Sequence, residues 1–531
     1  MKEKWKHLPK SAVWYLLFAA LMIIVISLKS NYYIDEIYSY GLANGVNDGI
    51  DMEIKYGCKY EPGESVYYDY MRVQNGERFA YKNVWKNQKN DVHPPLYYAA
   101  LHTICSFFPN TFSRWYAGII NIVCALSVLF VLRKLISQLT DEGYIREILS
   151  FTFIMLTGVL HQAANFRMYL MGMLFVTLLT FLFVRQVGRR QELSFYFAVG
   201  VTAVCGALTH YYVTLYIVFV SVVYGICLLA EKRFREIIWY TITMSCAAAV
   251  SLLVFPSMIE HMFFGYRGAE AVENLAKNSQ YAENLKGFFD FLDQQMFGKI
   301  LGILLAVLLV LSLLRFAGRF FQISTLPGEE KLVFGFQKYE IMRYSIVLVP
   351  CFFYYIVVSK ITFAVADRYI SPIYAVLFAG VLCISFRILQ YALHGKTFLI
   401  VTALVISVLI LGSHQAFAWE YLFLESRQTL VPVKEHRGYD CVCVFDEDET
   451  YLLYPEFTEF SLYKSVTFVT TADLKENGMQ RWITSDGIVV SFFLRERDVK
   501  KHLKRIKRET GFHNIQKLGT FGFDNTYFLS K

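Results

Sequence analysis

Apolar residues fill this chain in unbroken blocks. Runs of roughly 17 to 20 such residues, long enough for a membrane-crossing helix, recur across the first four-fifths of the 531 positions. Only helices and closed barrels satisfy their backbone polar groups inside lipid, and barrel strands alternate apolar with polar residues. The pattern therefore predicts an α-helical polytopic membrane protein. Its eleven spans are expected at 12–28, 114–132, 147–163, 168–184, 194–209, 211–230, 236–255, 299–314, 344–358, 369–386 and 397–414. A twelfth run, 94–108, has about fifteen residues, the length of a re-entrant or interfacial segment.

Charge decides how that short run is read. If 94–108 does not cross, one side of the membrane holds the N-terminus, 133–146, 185–193, 231–236, 315–343 and 387–396, which carry 20 Lys and Arg. The short turns opposite, at 164–167, 210 and 359–368, hold only Arg167, Lys360 and Arg368. A crossing would invert this bias against the positive-inside rule. The expectation is a multi-pass cell-membrane protein with a cytoplasmic N-terminus and a retained first span. Two outer loops, 29–113 and 257–298, are then too long to be idle. They are expected to carry short helices along the membrane surface, one of them amphipathic over Tyr281–Phe297.

After Trp419 the texture changes. Short apolar runs (Cys441–Phe445, Val466–Thr470, Gly487–Phe493) alternate with charged stretches such as Glu496–Glu509. That alternation predicts a small α/β domain over 425–531 on the outer face, beyond a membrane domain over 1–420.

Composition adds two exclusions. The chain is 55% hydrophobic with a formal charge of +8, yet it has no basic stripe interleaved with stacking aromatics, which excludes a nucleic-acid partner. Its ten cysteines lie mostly inside apolar runs and show no metal-ligand spacing. The 37 tyrosines gather at span ends, where a ring with one polar edge is at home.

The chemistry sits on the predicted outer side. Asp35 and Glu36 follow the first span, and Asp91, His93, Pro94 and Pro95 precede the re-entrant helix. Asn165, Arg167 and Tyr169 join two spans, as do His210, Tyr211 and Tyr212, and Lys360, Asp367, Arg368 and Tyr369. Taken singly, an Arg here is an interfacial anchor, His210 an interface residue and Pro94-Pro95 a helix start. Together they place carboxylates, a histidine and cations in one aromatic vestibule, the chemistry of an anionic headgroup held beside a general base.

These residues resemble a known family. Asp35-Glu36 after the first span, with His93-Pro94-Pro95-Leu96-Tyr97-Tyr98 later in the same loop, is similar to the GT-C glycosyltransferases. The nearest groups are the bacterial relatives of protein O-mannosyltransferases (glycosyltransferase family 39) and the lipid A aminoarabinose transferases. Arg167-Met168-Tyr169 and Arg368-Tyr369 with Pro372 resemble further elements of that group. The chain departs from it at Asn165-Phe166, and at Val92-His93 where the aminoarabinose transferases have Glu-Lys. That departure argues against lipid A as acceptor and against a metal at that position.

The resemblance implies a GT-C fold and an inverting sugar transfer from a polyprenyl-phosphate donor to an acceptor hydroxyl on a glycan, lipid or protein. Asp35 would be the general base, with Glu36 orienting the site or holding the acceptor. His93, Arg167, Lys360 and Arg368 would hold the donor phosphate, and Tyr169, His210, Tyr211 and Tyr369 the substrate. A divalent metal ion is left open. The alternative is a lipid-linked sugar flippase or secondary transporter. Carriers place charges at mid-membrane on repeated broken helices, whereas these spans are nearly free of ionisable side chains and no repeat is present.

Overall fold

The computed structural model describes residues 12–46, 52–310, 337–393, 395–416, 419–483, 485–519 and 525–531. The basic N-terminal residues, the end of the 299–314 run beyond 310 and most of the basic loop 315–343 lie outside them.

Among the described residues, seven helices are long and apolar enough to cross a membrane. They are Arg114–Leu139, Tyr169–Gln186, Tyr211–Ala230, Phe234–Val254, Lys338–Ile361, Asp367–Gln390 and Gly395–Gln415. Two bent pairs qualify as well: Gly143–Met155 with Thr157–Ala163, at 53°, and Tyr281–Phe297 with Leu301–Val310, at 94°. The shorter apolar helices Ala12–Leu28 and Leu193–Ala207 complete the set, so each expected apolar run is helical within the described residues. Helix Arg114–Leu139 packs along Tyr169–Gln186, and Tyr211–Ala230 along Lys338–Ile361. Ile238, Trp239 and Leu253 on one outer helix, and Leu399, Ile400, Leu404 and Leu411 on another, stay exposed. Apolar surface on that scale is the mark of a lipid-facing belt, and the chain is a multi-pass membrane protein.

The 94–108 run forms helix Leu96–Phe107, of 12 residues. At 1.5 Å per residue it rises about 18 Å, well short of a bilayer. The second long loop folds as Met258–Phe263, Tyr266–Lys277 and Tyr281–Phe297. The last of these stops at Gly298, whose φ of 56° is a left-handed cap. A Cβ on Gly412 would lie 2.3 Å from the Gly298 carbonyl oxygen. The 94° corner is thus pressed against helix Gly395–Ala416 where only glycine fits.

Six strands form the second region: β1 (Lys59–Tyr60), β2 (Asp440–Phe445), β3 (Ser465–Thr470), β4 (Gly487–Phe493), β5 (Asn514–Gly519) and β6 (Asn525–Ser530). Their order is β1-β3-β2-β4-β6-β5. β2 runs parallel to β3 and β4, with Cys441 opposite Val466 and Val489. Both faces of these three strands are covered, which is why they read as continuous apolar runs. Cys441, Cys443, Phe445, Phe468 and Phe493 join a core continuous with the helical body. Val442, Val444, Val490 and Phe492 instead pack beneath helices Thr471–Asn477 and Glu496–Thr510 through Leu474, Val499, Leu503 and Ile506.

β1 belongs to the first long loop. It pairs antiparallel with β3, Lys59 opposite Thr467 and Tyr60 opposite Val466, so the sheet straddles the boundary expected near residue 420. Further contacts bind that loop to the sheet region. Tyr67 donates its hydroxyl to Leu453 O at 2.5 Å, Met52 N donates to the Tyr454 hydroxyl at 2.7 Å, and Tyr38 stacks on Tyr454 at 4.6 Å.

Candidate active site

Helix Ile34–Asn44 begins just past the first apolar helix, with Asp35 and Glu36 in its first turn, where the helix dipole favours carboxylates. Neighbouring helical residues point about 100° apart, so the two acids cannot share a face. Glu36 turns inward and is fully buried. It accepts hydrogen bonds from Tyr33 N at 2.7 Å and Phe166 N at 2.8 Å, and pairs with the buried Lys29 Nζ at 2.9 Å. Lys29 also donates to Tyr421 O at 2.6 Å. Glu36 therefore ties three chain segments together.

Asp35 turns the other way, into a cavity of about 1060 Å³. One part of its lining is polar: Asp35, Asp91, His93, Arg167, His210 and Arg368. Another part, supplied by the second long loop, helix Lys338–Ile361 and the turn after it, is apolar and includes Val272, Leu275, Phe291, Val357 and Phe363.

The two arginines at the polar part are held differently. Arg167, nearly buried, donates Nη1 to Asp35 O at 2.9 Å and Ser39 Oγ at 3.0 Å, and Nη2 to His93 Nε2 at 3.3 Å. A guanidinium only donates, so Nε2 of His93 accepts and Nδ1 carries the proton given to Asp91 Oδ2 at 2.8 Å. Arg167 thus fastens the backbone at Asp35 to the His-Pro-Pro turn. Arg368 Nη2 lies 3.6 Å from Asp35 Oδ2. Its guanidinium sits 5.1 Å from the ring centres of both Tyr33 and Tyr369, and its buried Nε has no hydrogen-bond partner among the described residues.

Arg368 is anchored by its neighbour. The buried Asp367 carboxylate accepts from His161 Nδ1, Gln162 Nε2 and Gln295 Nε2, each at 3.1 Å, and from the Tyr421 hydroxyl at 2.7 Å. His161 Nε2 takes the Tyr421 backbone N–H at 3.0 Å, which fixes its tautomer with the proton on Nδ1. Four donors on one carboxylate satisfy its burial and hold the turn that carries Arg368.

Local charge sets protonation here. Burial pushes the Asp91 carboxyl up, but the His93 imidazole and the Arg167 guanidinium outweigh it and hold it below its ordinary 3.8. The resulting stability is present above that value and fades as the pH falls through the lower folded one. Burial, reinforced by the Arg167 and Arg368 guanidiniums, holds His210 well below its ordinary value, so it is neutral at pH 7. His210 Nδ1 accepts from Tyr212 N at 3.0 Å and caps helix Tyr211–Ala230.

Of the residues singled out in the sequence, Asp35, His93, Arg167, Tyr169, His210, Tyr211, Arg368 and Tyr369 line this cavity. Glu36 and Lys360 do not. Glu36 is inside the core, and Lys360 Nζ lies over the Tyr281 ring at 4.9 Å while its carbonyl takes Asn278 Nδ2. Lining residues missed in the sequence include Tyr33, Tyr421, Glu270 and Arg267. Arg267 pairs with Glu270 at 2.8 Å and covers the Phe363 ring at 3.9 Å. No sequence signal separated Arg267 from Lys277 and Lys286 in the same charged loop. Among the described residues, no three His, Cys, Asp or Glu side chains converge as metal ligands.

No protein-family model matches the chain, and no curated protein matches it in sequence. Solved structures do. ArnT from Cupriavidus metallidurans, bound to undecaprenyl phosphate, matches with a TM-score of 0.53 at 9% identity, over 98% of this chain and 97% of that one. Archaeal oligosaccharyltransferase AglB from Archaeoglobus fulgidus, in complex with an inhibitory peptide and a dolichol-phosphate, matches at 0.41 and 9% identity, over 91% of this chain and 70% of its own. The ArnT match establishes the fold, which is GT-C.

Proposed function

We propose that this GT-C membrane protein is a glycosyltransferase that moves a sugar from a polyprenyl-phosphate donor to an acceptor hydroxyl, with inversion. The observation that carries the reading is the cavity, in which Asp35 and Arg368 face each other beside a lining apolar enough for a lipid chain. The ArnT structure of the same fold holds undecaprenyl phosphate.

Arg368 pairs with Asp35 across the cavity. An arriving donor phosphate competes for that guanidinium, which offers planar, bidentate donors. Asp35 is thereby released as an acceptor of protons. The acceptor oxygen then bonds to the anomeric carbon as the bond from that carbon to the phosphate oxygen breaks. Asp35 takes the hydroxyl proton, and polyprenyl phosphate leaves as an anion. Charge grows on the leaving phosphate, so a fixed Arg368 stabilises the transition state more than the ground state. Arg267 is a further cation in the cavity lining, beside Arg368 and Arg167. Arg167 and His93 keep Asp35 aimed, and Tyr169, Tyr211 and Tyr369 offer aromatic faces to a sugar.

Protein reconstituted in nanodiscs with a labelled polyprenyl-phosphate sugar and candidate glycan, lipid and peptide acceptors tests this. Label on an acceptor, with free polyprenyl phosphate as co-product, is the expected result. Label that only changes leaflet, with no donor consumed, would establish a carrier instead. The charge bias of the loops favours the outer side for the cavity. Cys58, exposed in the first long loop, should then react with a membrane-impermeant thiol reagent in intact cells, and a Cys58→Ser variant should lose that label. Reaction only after lysis would reverse the orientation.

A further inference from the structure

Two nearly buried side chains in the cavity wall hold polar groups that the fold leaves unused. His210 and Tyr169 are 7% and 3% exposed, and both line the cavity. His210 stands at the start of helix Tyr211–Ala230, where its Nδ1 accepts from the Tyr212 backbone N–H at 3.0 Å. A backbone N–H only donates, so the ring proton is on Nε2. That Nε2–H has no acceptor among the described residues, and the Tyr169 hydroxyl has no partner among them either. Neighbouring polar groups are taken. The Tyr211 hydroxyl meets His261 Nδ1 at 2.9 Å, the Tyr212 hydroxyl meets Thr362 Oγ1 at 3.3 Å, and Asp91 holds His93 at 2.8 Å. Buried polar groups are nearly always paired, so two left open side by side mark a place for a polar ligand. Their rings lie 5.4 Å apart, centre to centre. On one side, Tyr369 is 6.3 Å from Tyr169, and the Arg368 guanidinium is 5.1 Å from Tyr369. On the other, His93 is 5.8 Å from His210 and is joined to Arg167, which also grips the backbone at Asp35. The pair therefore stands between the cation assigned to the donor phosphate and the contacts that aim the base.

We propose that His210 and Tyr169 read one hydroxyl of the donor's sugar. This rests on the donor being a polyprenyl-phosphate sugar, whose ring is joined to the phosphate and falls beside this pair when the phosphate meets Arg368. The His210 Nε2–H can only donate, whereas the Tyr169 hydroxyl can also accept. A sugar hydroxyl satisfies both at once, accepting from His210 while donating to Tyr169. A hydrogen at that carbon would strand both groups. A protonated amine, which only donates, would confront the His210 N–H. The substrate class is therefore a sugar with a free hydroxyl at the position read, and not its deoxy or amino-deoxy counterpart. A site built to hydrogen-bond a substrate hydroxyl rejects an analogue lacking it far more strongly than an apolar pocket rejects a missing methylene.

Full-length protein in nanodiscs, with binding read by competition against fluorescent undecaprenyl phosphate, tests the assignment. The competitors are bare undecaprenyl phosphate, its glucose, mannose, galactose and arabinose conjugates, and the monodeoxy and monoamino analogues of whichever conjugate binds tightest. At least one conjugate should bind wild type about tenfold more tightly than the bare lipid, and one ring position should lose that gain on either replacement. Tyr169→Phe removes a single oxygen, and His210→Asn can still cap its helix. Each variant should bind the conjugate about tenfold more weakly and no longer tell hydroxyl from hydrogen at that position. Both should keep the wild-type affinity for bare undecaprenyl phosphate and the wild-type thermal midpoint. Sugars that add nothing to wild-type binding, an amino analogue that outbinds its hydroxyl parent at the position read, or variants that keep the discrimination would each overturn the proposal. Position-specific binding with no transfer to any acceptor would instead sink the transferase reading and leave this subsite standing. Wild type that binds no undecaprenyl phosphate, bare or conjugated, would sink both.

Discussion

Asp35→Asn should reduce sugar transfer by about 10²–10⁴-fold, the usual contribution of a positioned base, without weakening donor binding. Asparagine keeps the shape of the side chain but takes no proton from an attacking hydroxyl. It also removes the carboxylate that competes with the donor phosphate for Arg368, 3.6 Å away. Donor affinity should therefore hold or rise while kcat collapses. Arg368→Ala should do the opposite to binding, raising the donor KM as well as lowering kcat, because the phosphate loses its partner in both ground and transition states. Transfer by Asp35→Asn at near wild-type rates would remove Asp35 as the base. A loss confined to donor affinity would make it a binding residue.

Glu36→Ala should cost about 3–5 kcal/mol of stability, since it strands Lys29 as an unpaired charge in the core. The two side chains are almost inaccessible to solvent, and Glu36 also receives two backbone N–H groups. Removing both charges should restore much of the loss, because apolar replacement of a buried ion pair is often neutral. Lys29→Met/Glu36→Gln is the informative variant, as glutamine retains an acceptor oxygen. Thermal unfolding in detergent should rank wild type first, the double variant next and Glu36→Ala last. A double variant less stable than Glu36→Ala would mean that the charge pair itself, and not the stranded lysine, sets the cost.

The contrast between these two acids shows what the sequence could reveal. Lipid forces each backbone to satisfy itself, so unbroken apolar runs declare their helices directly. The His-Pro-Pro turn and the acidic pair were visible as motifs. The division of labour within the pair was not, because adjacent residues on a helix diverge and only the surrounding fold decides which one is buried. Lys360 looked equivalent to Arg368 by charge and loop, yet the Tyr281 ring beneath it draws it off the cavity. Arg267 was hidden in a long amphipathic loop whose other charges mask it. β1 is only two residues long, too short for any periodicity, and its pairing with β3 depends on chain hundreds of residues away.

That pairing sets an order of assembly. The stretch bearing Asp35 and the His-Pro-Pro turn is synthesised early, but the platform it rests on, from Leu453 through Thr467, emerges only after all the described helices of the bundle. A ribosome-bound chain that has inserted its helices thus still lacks the partners of Tyr38, Met52, Lys59 and Tyr67. The loop that carries Asp35 can set only when the distant strand arrives, so the proposed transfer would wait for the end of synthesis.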